Sequence, residues 1–208
     1  MRMFLRPGIL LLSLLLFTSC SALKDIQQAV TNLSRCKFKL DSVNNFQLIG
    51  IRLADKKSVS DFGISDGVKL AAAFARDEFP ASFTLNVAAM NPNDGTGGTP
   101  QTAATLTSFA WTLIIDNTLT INGDISDPIT IPGTGQASII PLQMNLDLAK
   151  FFKDKGYESV VNLAMAIGGA NGSPSRITLR AKPRLSTKFG DITYPGMIDI
   201  VDKEFRGQ

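Results

Sequence analysis

A two-residue period of hydrophobic and polar positions runs through most of the chain from Cys36 onward. Between Phe79 and Ala89 the odd positions are apolar and most of the even ones are polar, which is typical of a strand with one face in a core. Clusters of Gly, Pro and Asn separate such segments and predict turns between them. The same reasoning predicts further strands at Phe38–Leu53, Ile129–Ile131, Ser138–Met144, Val161–Ile167, Ile177–Leu185 and Ile192–Val201.

A β-hairpin is predicted in the middle of the chain. Apolar residues alternate with polar ones from Phe109 to Ile115, and the alternation resumes at Leu119. Asp116 and Asn117 lie between the two runs, and both residue types favour tight turns because they tolerate positive φ. Eight or more strands joined by such turns, without a regular alternation of strand and helix, predict an all-β fold, namely an antiparallel β-sandwich.

Two short helices interrupt the predicted strands. Ser65 and Asp66 can cap an Ala-rich segment that ends near Arg76. A second helix is predicted from Asp147 to Lys155, with its large apolar side chains on one side and Gly156 as its C-terminal stop. We expect both helices to cover the ends of the sandwich.

The N-terminus has the pattern of an export signal. Arg2 and Arg6 precede an apolar run from Ile9 to Phe17, which is shorter than the roughly 20 residues that a transmembrane helix needs. The segment that ends in Cys20 resembles the lipobox of bacterial lipoproteins, in which the Cys is acylated and the chain is cut directly before it. Two or three acyl chains would hold the protein durably on a membrane, whereas one chain anchors only marginally. An ordinary secretory signal with an incidental Cys is the alternative.

The expected organisation has three parts: a lipoprotein signal peptide over 1–19, a lipid anchor and tether over 20–35, and a single domain over 36–208. Ser21 follows the acylated Cys, and in the enterobacterial sorting rule a residue other than Asp there implies the outer membrane. A periplasm-facing position is therefore expected. Because the other Cys carries lipid, we expect Cys36 to form no disulfide and to lie as a small apolar residue at the start of a strand.

Composition and charge narrow the possible chemistry. The chain contains no His, which excludes Ser-His-Asp and Cys-His nucleophiles and His-containing zinc sites. An enzyme that uses paired carboxylates alone, as in glycoside hydrolysis, stays open as an alternative. Removal of the leader with Arg2 and Arg6 lowers the formal net charge from +3 to +1. A nearly neutral, exported protein is not expected to bind nucleic acid.

A series of spaced features resembles one known domain. The features are the strand that ends in Asn91-Pro92-Asn93, the next strand with Trp111, then Gly123, Ile131-Pro132, Gly135 and Ile140-Pro141-Leu142. They resemble the water-stress and hypersensitive-response (WHy) domain of type 2 late embryogenesis abundant (LEA) proteins, most of all the bacterial lipoproteins that carry it. The resemblance covers about residues 79–185. It implies an immunoglobulin- or fibronectin III-like sandwich and a role in stress protection, and it brings no enzyme activity and no cofactor.

The Asn91-Pro92-Asn93 motif is interpreted as structural. Pro92 cannot donate to a β-ladder, while Asn side chains bond to nearby backbone and tolerate unusual φ. A ligand site at these residues is the alternative. A calcium loop is disfavoured, because Gly95 comes one position early and Thr102 occupies the place of the bidentate Glu. The segment 94–104 is an insertion relative to the family pattern, and no metal site is predicted.

The candidate ligand-binding surface is a basic stripe formed by Arg176, Arg180, Lys182 and Arg184. On a strand these residues share one face, because side chains alternate between the two faces. Such a stripe can hold acidic glycans, lipopolysaccharide phosphates or a membrane surface through guanidinium contacts. The alternatives are a solvated face paired with acids on neighbouring strands, or a charged sheet edge that deters aggregation.

The sequence thus predicts a lipid-anchored, non-enzymatic protein of the bacterial cell envelope, on the periplasmic side of the outer membrane. Its expected role is as an interaction or stress-protective module. Its expected partners are the membrane, through lipid on Cys20, and envelope polymers or proteins. The alternative function is specific binding of an acidic glycan or lipid through the basic stripe.

Overall fold

The structure of the protein is a computed structural model, and it describes residues 31, 35–96, 101–187, 190–203 and 206. Ten strands occur in this part of the chain. They are β1 (Lys37–Leu48), β2 (Ile51–Arg52), β3 (Pro80–Met90), β4 (Ala104–Ile115), β5 (Thr118–Gly123), β6 (Ile129–Ile131), β7 (Ala137–Asp147), β8 (Ile177–Thr187), β9 (Gly190–Thr193) and β10 (Ile198–Ile200).

The strands form two antiparallel sheets. Sheet A has the order β2-β1-β3-β7, and sheet B has the order β10-β8-β4-β5. Strand β6 also pairs with β4, and β9 also pairs with β8. The two sheets bury their inner side chains against each other in one core. The prediction of an all-β, antiparallel β-sandwich is therefore confirmed.

The predicted hairpin is also confirmed. Strands β4 and β5 pair in antiparallel register around Asp116 and Asn117, whose φ angles are 47° and 63°. Two adjacent residues at positive φ match the right-handed twist of the strands that they join. The predicted Phe38–Leu53 segment is in fact the β1–β2 pair, and the predicted Ile192–Val201 segment is divided into β9 and β10.

The prediction of a strand at Val161–Ile167 is wrong. The described residues contain three helices rather than the two predicted, namely α1 (Ile64–Ala75), α2 (Ala149–Phe152) and α3 (Tyr157–Gly168), and this segment belongs to α3. Helix α3 buries residues at helical spacing, namely Val160, Leu163, Ala164 and Ile167. The β-branched Val161 and Ile167 favour a strand, but the buried residues lie at the spacing i, i+3, i+4 and i+7, which fits one face of a helix.

The second predicted helix is shorter than expected. Helix α2 has four residues, and a 3₁₀ turn continues it from Lys153 to Lys155. The Asp147 carboxylate accepts hydrogen bonds from the backbone N–H groups of Phe79 at 2.8 Å and Ala149 at 3.0 Å. This carboxylate therefore joins the start of β3 to the start of α2. Gly156 has a φ of 79° and separates the 3₁₀ turn from α3.

Aromatic side chains fill the centre of the core. The rings of Phe38 and Phe109 bring the two sheets together with centroids 5.2 Å apart, and Phe46 stacks on Phe83 at 5.0 Å. Cys36 is buried directly before β1, and its burial raises the pKa of the thiol to about 11. Because desolvation disfavours a thiolate, this residue behaves as a small apolar side chain.

The C-terminal segment closes one side of the sandwich. The Leu40 N–H donates to the Val201 carbonyl at 2.9 Å, and Phe38 exchanges two backbone hydrogen bonds with Arg206, each of 2.8 Å. These bonds extend from β1 in sheet A to the residues that follow β10 in sheet B. The side of the sandwich between β1 and β10 is thus held by main-chain hydrogen bonds.

Candidate functional site

The basic stripe lies on the outer face of sheet B, except for its first member. Arg176 belongs to the 3₁₀ turn Pro174–Arg176 that precedes β8. Arg180, Lys182 and Arg184 lie on β8 itself and alternate with buried inner residues. Strand β8 pairs with β4 on one side and with β9 and β10 on the other. The alternative of a charged sheet edge is therefore wrong for this strand.

Two arginines of the stripe are paired with carboxylates. The Arg176 guanidinium donates to both carboxylate oxygens of Asp116, at 3.1 and 3.0 Å. Arg180 donates from Nε and Nη2 to the two oxygens of Asp199 on β10, at 2.7 and 3.2 Å. Hydrogen bonding to Arg180 lowers the pKa of Asp199, and the same contact raises the pKa of Arg180. These two positive charges are largely compensated within the protein.

Among the described residues, no carboxylate pairs with the other two cations of the stripe. Lys182 and Arg184 are exposed, and no carboxylate oxygen of the described residues lies within the 4.0 Å of an ion pair from either. Ala110 lies opposite Lys182 in the ladder, and Ser108 lies opposite Arg184. Small neutral neighbours leave both charged groups accessible from outside. We call Lys182 and Arg184 the open cation pair.

Two carboxylates lie at the same end of the sheet, and both are engaged by hydroxyl groups of β4. Ser108 Oγ donates to Asp124 at 2.6 Å, and Thr107 Oγ1 donates to Asp191 at 2.7 Å. Hydroxyl contacts do not neutralise a carboxylate. The outer face near the open cation pair is therefore mixed in charge, so an anionic ligand has to contact the two cations closely to bind well.

The Asn91-Pro92-Asn93 motif lies inside the protein. Asn91 is fully buried, and its side-chain amide donates to the carbonyls of Thr102 at 2.9 Å and Ile131 at 3.2 Å. Its side-chain oxygen accepts from the backbone N–H of Asn93 at 3.2 Å and from the Asn93 amide at 2.7 Å. The motif thus joins the end of β3 to the start of β4 and the end of β6. We call these contacts the Asn91 cluster.

A close backbone approach accompanies the Asn91 cluster. A Cβ atom on Gly133 would come within 2.5 Å of the Asn93 carbonyl oxygen and 2.6 Å of the Thr102 carbonyl oxygen. Only glycine fits at this distance. The Gly135 N–H donates to the Asn91 carbonyl at 3.1 Å, so the loop after β6 is also bound to the motif.

The sequence did not predict a groove that lies between the edges of the two sheets. Its volume is about 460 Å³, and it is lined by residues 124–127 and Ile129 after β5, by Trp111, and by residues of β7, namely Ile139, Pro141, Leu142 and Gln143. We call it the edge groove. Gly123 lies against the Trp111 indole, where a Cβ atom would come within 2.5 Å of Cζ2. Pro141 was a signal, because a proline inside a predicted strand marks the edge of a sheet.

Several sequence predictions fall outside the described residues. These are the signal peptide over 1–19, Cys20 with most of the tether over 20–35, and residues 97–100 of the insertion. Over the described ranges, no helix has both the length and the apolar character needed to cross a membrane. The same ranges contain no group of three or more Cys, Asp or Glu residues that could hold a metal ion.

Comparisons with known proteins give a weak structural likeness. No family model and no curated protein matches the chain. A solution structure described as that of an LEA protein covers 94% of this chain and 88% of its own, with 12% identity and a TM-score of 0.37. The crystal structure of a protein from Archaeoglobus fulgidus covers 82% of this chain and 98% of its own, with 10% identity and a TM-score of 0.32. Likenesses at this level assign neither family nor function.

Proposed function

We propose that the protein is a non-enzymatic interaction module of the bacterial cell envelope, held at the outer membrane by acyl chains on Cys20. It binds acidic envelope polymers through the outer face of sheet B. The observation that supports this function is the open cation pair. Lys182 and Arg184 project from one face of a central strand, while the neighbouring Arg180 is already bound to Asp199.

The spacing of the open cation pair fits a chain of repeated anionic groups. Two residues separated by one position on a strand lie about 7 Å apart on the same face. Arg184 can bind a phosphate or carboxylate with two parallel hydrogen bonds, and Lys182 adds a point charge beside it. Ala110 and Thr112 on β4 are small, so a flexible polymer can lie across the sheet next to the two cations.

Weak individual contacts are sufficient for a protein that is attached to a membrane. An exposed ion contact contributes about 0–1 kcal/mol, so the open cation pair alone gives low affinity for a single anion. A repeating polymer and a surface-bound protein raise the effective concentration of the second contact above that of the first. The acyl chains on Cys20 would provide this surface attachment.

Thermal unfolding of the full chain with a panel of envelope polymers tests this function. The panel contains an acidic glycan, a neutral glycan and lipopolysaccharide, each at low and moderate salt. A ligand at 100 times its Kd adds about 2.7 kcal/mol to the stability. We expect a salt-sensitive rise of the unfolding midpoint with the acidic polymers alone. Equal shifts with the neutral glycan, or none with any polymer, would contradict the proposal.

Stress protection is the second candidate function. The resemblance of residues 79–185 to the WHy domain supports it, while the Asn-Pro-Asn motif itself forms the buried Asn91 cluster and has a structural role. In this case the protein would protect a labile test enzyme during freezing and drying, at similar levels with and without acidic polymers. The Lys182→Gln/Arg184→Gln variant would keep this protection, whereas it would lose polymer binding.

A further inference from the structure

One edge of strand β7 faces the edge groove, and no strand of the described residues pairs with it. The Leu148 N–H donates to the Phe79 carbonyl at 2.9 Å, and the register between β3 and β7 is continuous. Backbone groups alternate in direction along an antiparallel strand. The even-numbered residues of β7 therefore point their N–H and C=O groups toward β3. The odd-numbered residues that point theirs away from β3 include Ile139, Pro141, Gln143 and Asn145.

These edge groups have no main-chain partner among the described residues. Ile139, Gln143 and Asn145 each offer an N–H and a C=O group in the plane of sheet A. Pro141 has no N–H and offers only a carbonyl. Such a proline is tolerated at a sheet edge and limits unspecific strand pairing. The edge is thus partly blocked in the middle and open on both sides of Pro141.

The opposite wall of the edge groove is rigidly attached to sheet B. The Asp124 carboxylate accepts from Phe109 N at 2.5 Å, from Ser108 Oγ at 2.6 Å and from Ile125 N at 2.8 Å. It occupies the gap along β4 between the residues that pair with β6 and those that pair with β5. The groove is therefore pre-organised, which lowers the entropic cost of filling it.

The chemistry of the groove defines what it can hold. Ile125 and Ile129 are half-buried and Ile139 is 48% exposed, so the walls are apolar. Asp127 is exposed, and no cation of the described residues forms an ion pair with it. The Trp111 Nε1–H is buried and has no acceptor in the described part of the chain. An occupant with apolar side chains and a positive charge would match the first two features, whereas the buried Nε1–H is closed to it.

We propose that the edge groove binds an extended, basic and apolar peptide segment of a partner protein, which adds to β7 as a fifth strand of sheet A. Main-chain hydrogen bonds to Ile139 and Gln143 provide the pairing, apolar side chains contact the isoleucines, and a Lys or Arg pairs with Asp127. A second copy that paired through its own β7 would bring a second 124–129 segment to the same place. A single strand avoids this crowding. The site is separate from the open cation pair.

A selection from phage-displayed random heptapeptides on the full chain, purified in detergent, tests this site. The Gln143→Pro variant removes one edge N–H but leaves the ladder with β3 intact, because residue 143 points away from β3. The matched Gln143→Thr variant keeps the N–H and, like the proline, loses the 3.3 Å contact with Thr84. Trp111 is the single Trp of the chain, so its fluorescence reports binding in the groove.

We expect enriched peptides to alternate apolar and basic residues and to change Trp111 fluorescence. They should bind Gln143→Pro roughly tenfold more weakly than wild type, the factor for one lost hydrogen bond, and bind Gln143→Thr normally. The Asp127→Asn variant should weaken the basic peptides, and Lys182→Gln/Arg184→Gln should not. An absence of enrichment, equal binding to the Pro and Thr variants with both folded, or a dimer that occupies β7 in sedimentation would each overturn the proposal.

Discussion

Replacing Asn91 with alanine tests the structural role of the Asn91 cluster. The side chain makes four hydrogen bonds, of which two reach buried backbone groups, the Ile131 carbonyl and the Asn93 N–H. A buried polar group that loses its partner costs about 1–3 kcal/mol. With the smaller losses at Thr102 and the Asn93 amide, we expect Asn91→Ala to lower the free energy of unfolding by about 3–5 kcal/mol.

This loss is large compared with the total stability of about 5–15 kcal/mol for a typical domain. Each kcal/mol moves the thermal midpoint of a domain of this size by roughly 2–4 °C, so the midpoint should fall by about 6–20 °C. Urea unfolding followed by Trp111 fluorescence measures the free energy directly. The m-value should stay unchanged, because the variant alters the stability of the native state rather than the surface exposed on unfolding.

Asn86→Ala is the matched control on strand β3, which ends directly before Asn91. Asn86 makes one half-buried hydrogen bond, from Nδ2 to Ser42 Oγ at 3.1 Å, and its loss should cost about 0.5–1 kcal/mol. The Asn91→Asp variant keeps the shape and the acceptor but loses both donors and buries a charge, so it should be at least as unstable as Asn91→Ala. If Asn91→Ala were within 1 kcal/mol of Asn86→Ala, the reasoning would be refuted.

Three further predictions concern single residues. Burial raises the pKa of Cys36 to about 11, so maleimide at pH 8 should label this thiol far more slowly in the native state than in urea; equal rates would contradict its burial. The contact with Arg180 lowers the pKa of Asp199 in the folded protein. This contact therefore stabilises the fold at pH values above the unfolded pKa of about 3.9, and the stabilisation is lost as the pH falls through the folded pKa. Asp199→Asn should therefore cost about 0.5–1 kcal/mol at pH 6, and thermal unfolding should show this difference shrinking as the pH falls below the unfolded value. Cys20→Ser should move the protein from the membrane to the soluble fraction, and mass spectrometry should find acyl chains on wild-type Cys20 alone.

Local sequence patterns predicted the elements whose structure depends on local interactions. The β4–β5 hairpin was predictable because Asp116 and Asn117 adopt the positive φ that the turn requires. The strand predicted at Val161–Ile167 is part of helix α3, because the buried residues of this segment follow a helical spacing although Val161 and Ile167 are β-branched. Tertiary packing against β1 overrides the weak strand preference of these residues.

The details of both surfaces depend on contacts between distant residues. The sequence places Arg180 and Lys182 on one face, but it does not show that β10 brings Asp199 next to Arg180, or that no acid of the described residues pairs with Lys182. Likewise, Pro141 marks an edge strand, yet the edge groove exists because the 124–129 segment packs beside β7. Sheet register and sheet packing determine such pairings, and neither follows from local periodicity.

The central claim is that the open cation pair binds acidic envelope polymers. Its most direct test is a titration of the full chain with the soluble, phosphorylated core oligosaccharide of lipopolysaccharide, at about 0.05 M and 0.2 M salt, because screening separates exposed ionic contacts from other binding. The matched pair of variants is Lys182→Gln/Arg184→Gln and the control Arg52→Gln/Lys57→Gln, which removes one Lys and one Arg from exposed positions elsewhere.

We predict that Lys182→Gln/Arg184→Gln weakens binding by more than twofold and up to about 30-fold at the lower salt, since two exposed ionic contacts contribute up to about 2 kcal/mol together. The control variant should bind within twofold of wild type, and the higher salt should reduce the difference between the variants. Equal weakening by both variants would show that net charge alone matters, and unchanged binding by Lys182→Gln/Arg184→Gln would contradict the central claim.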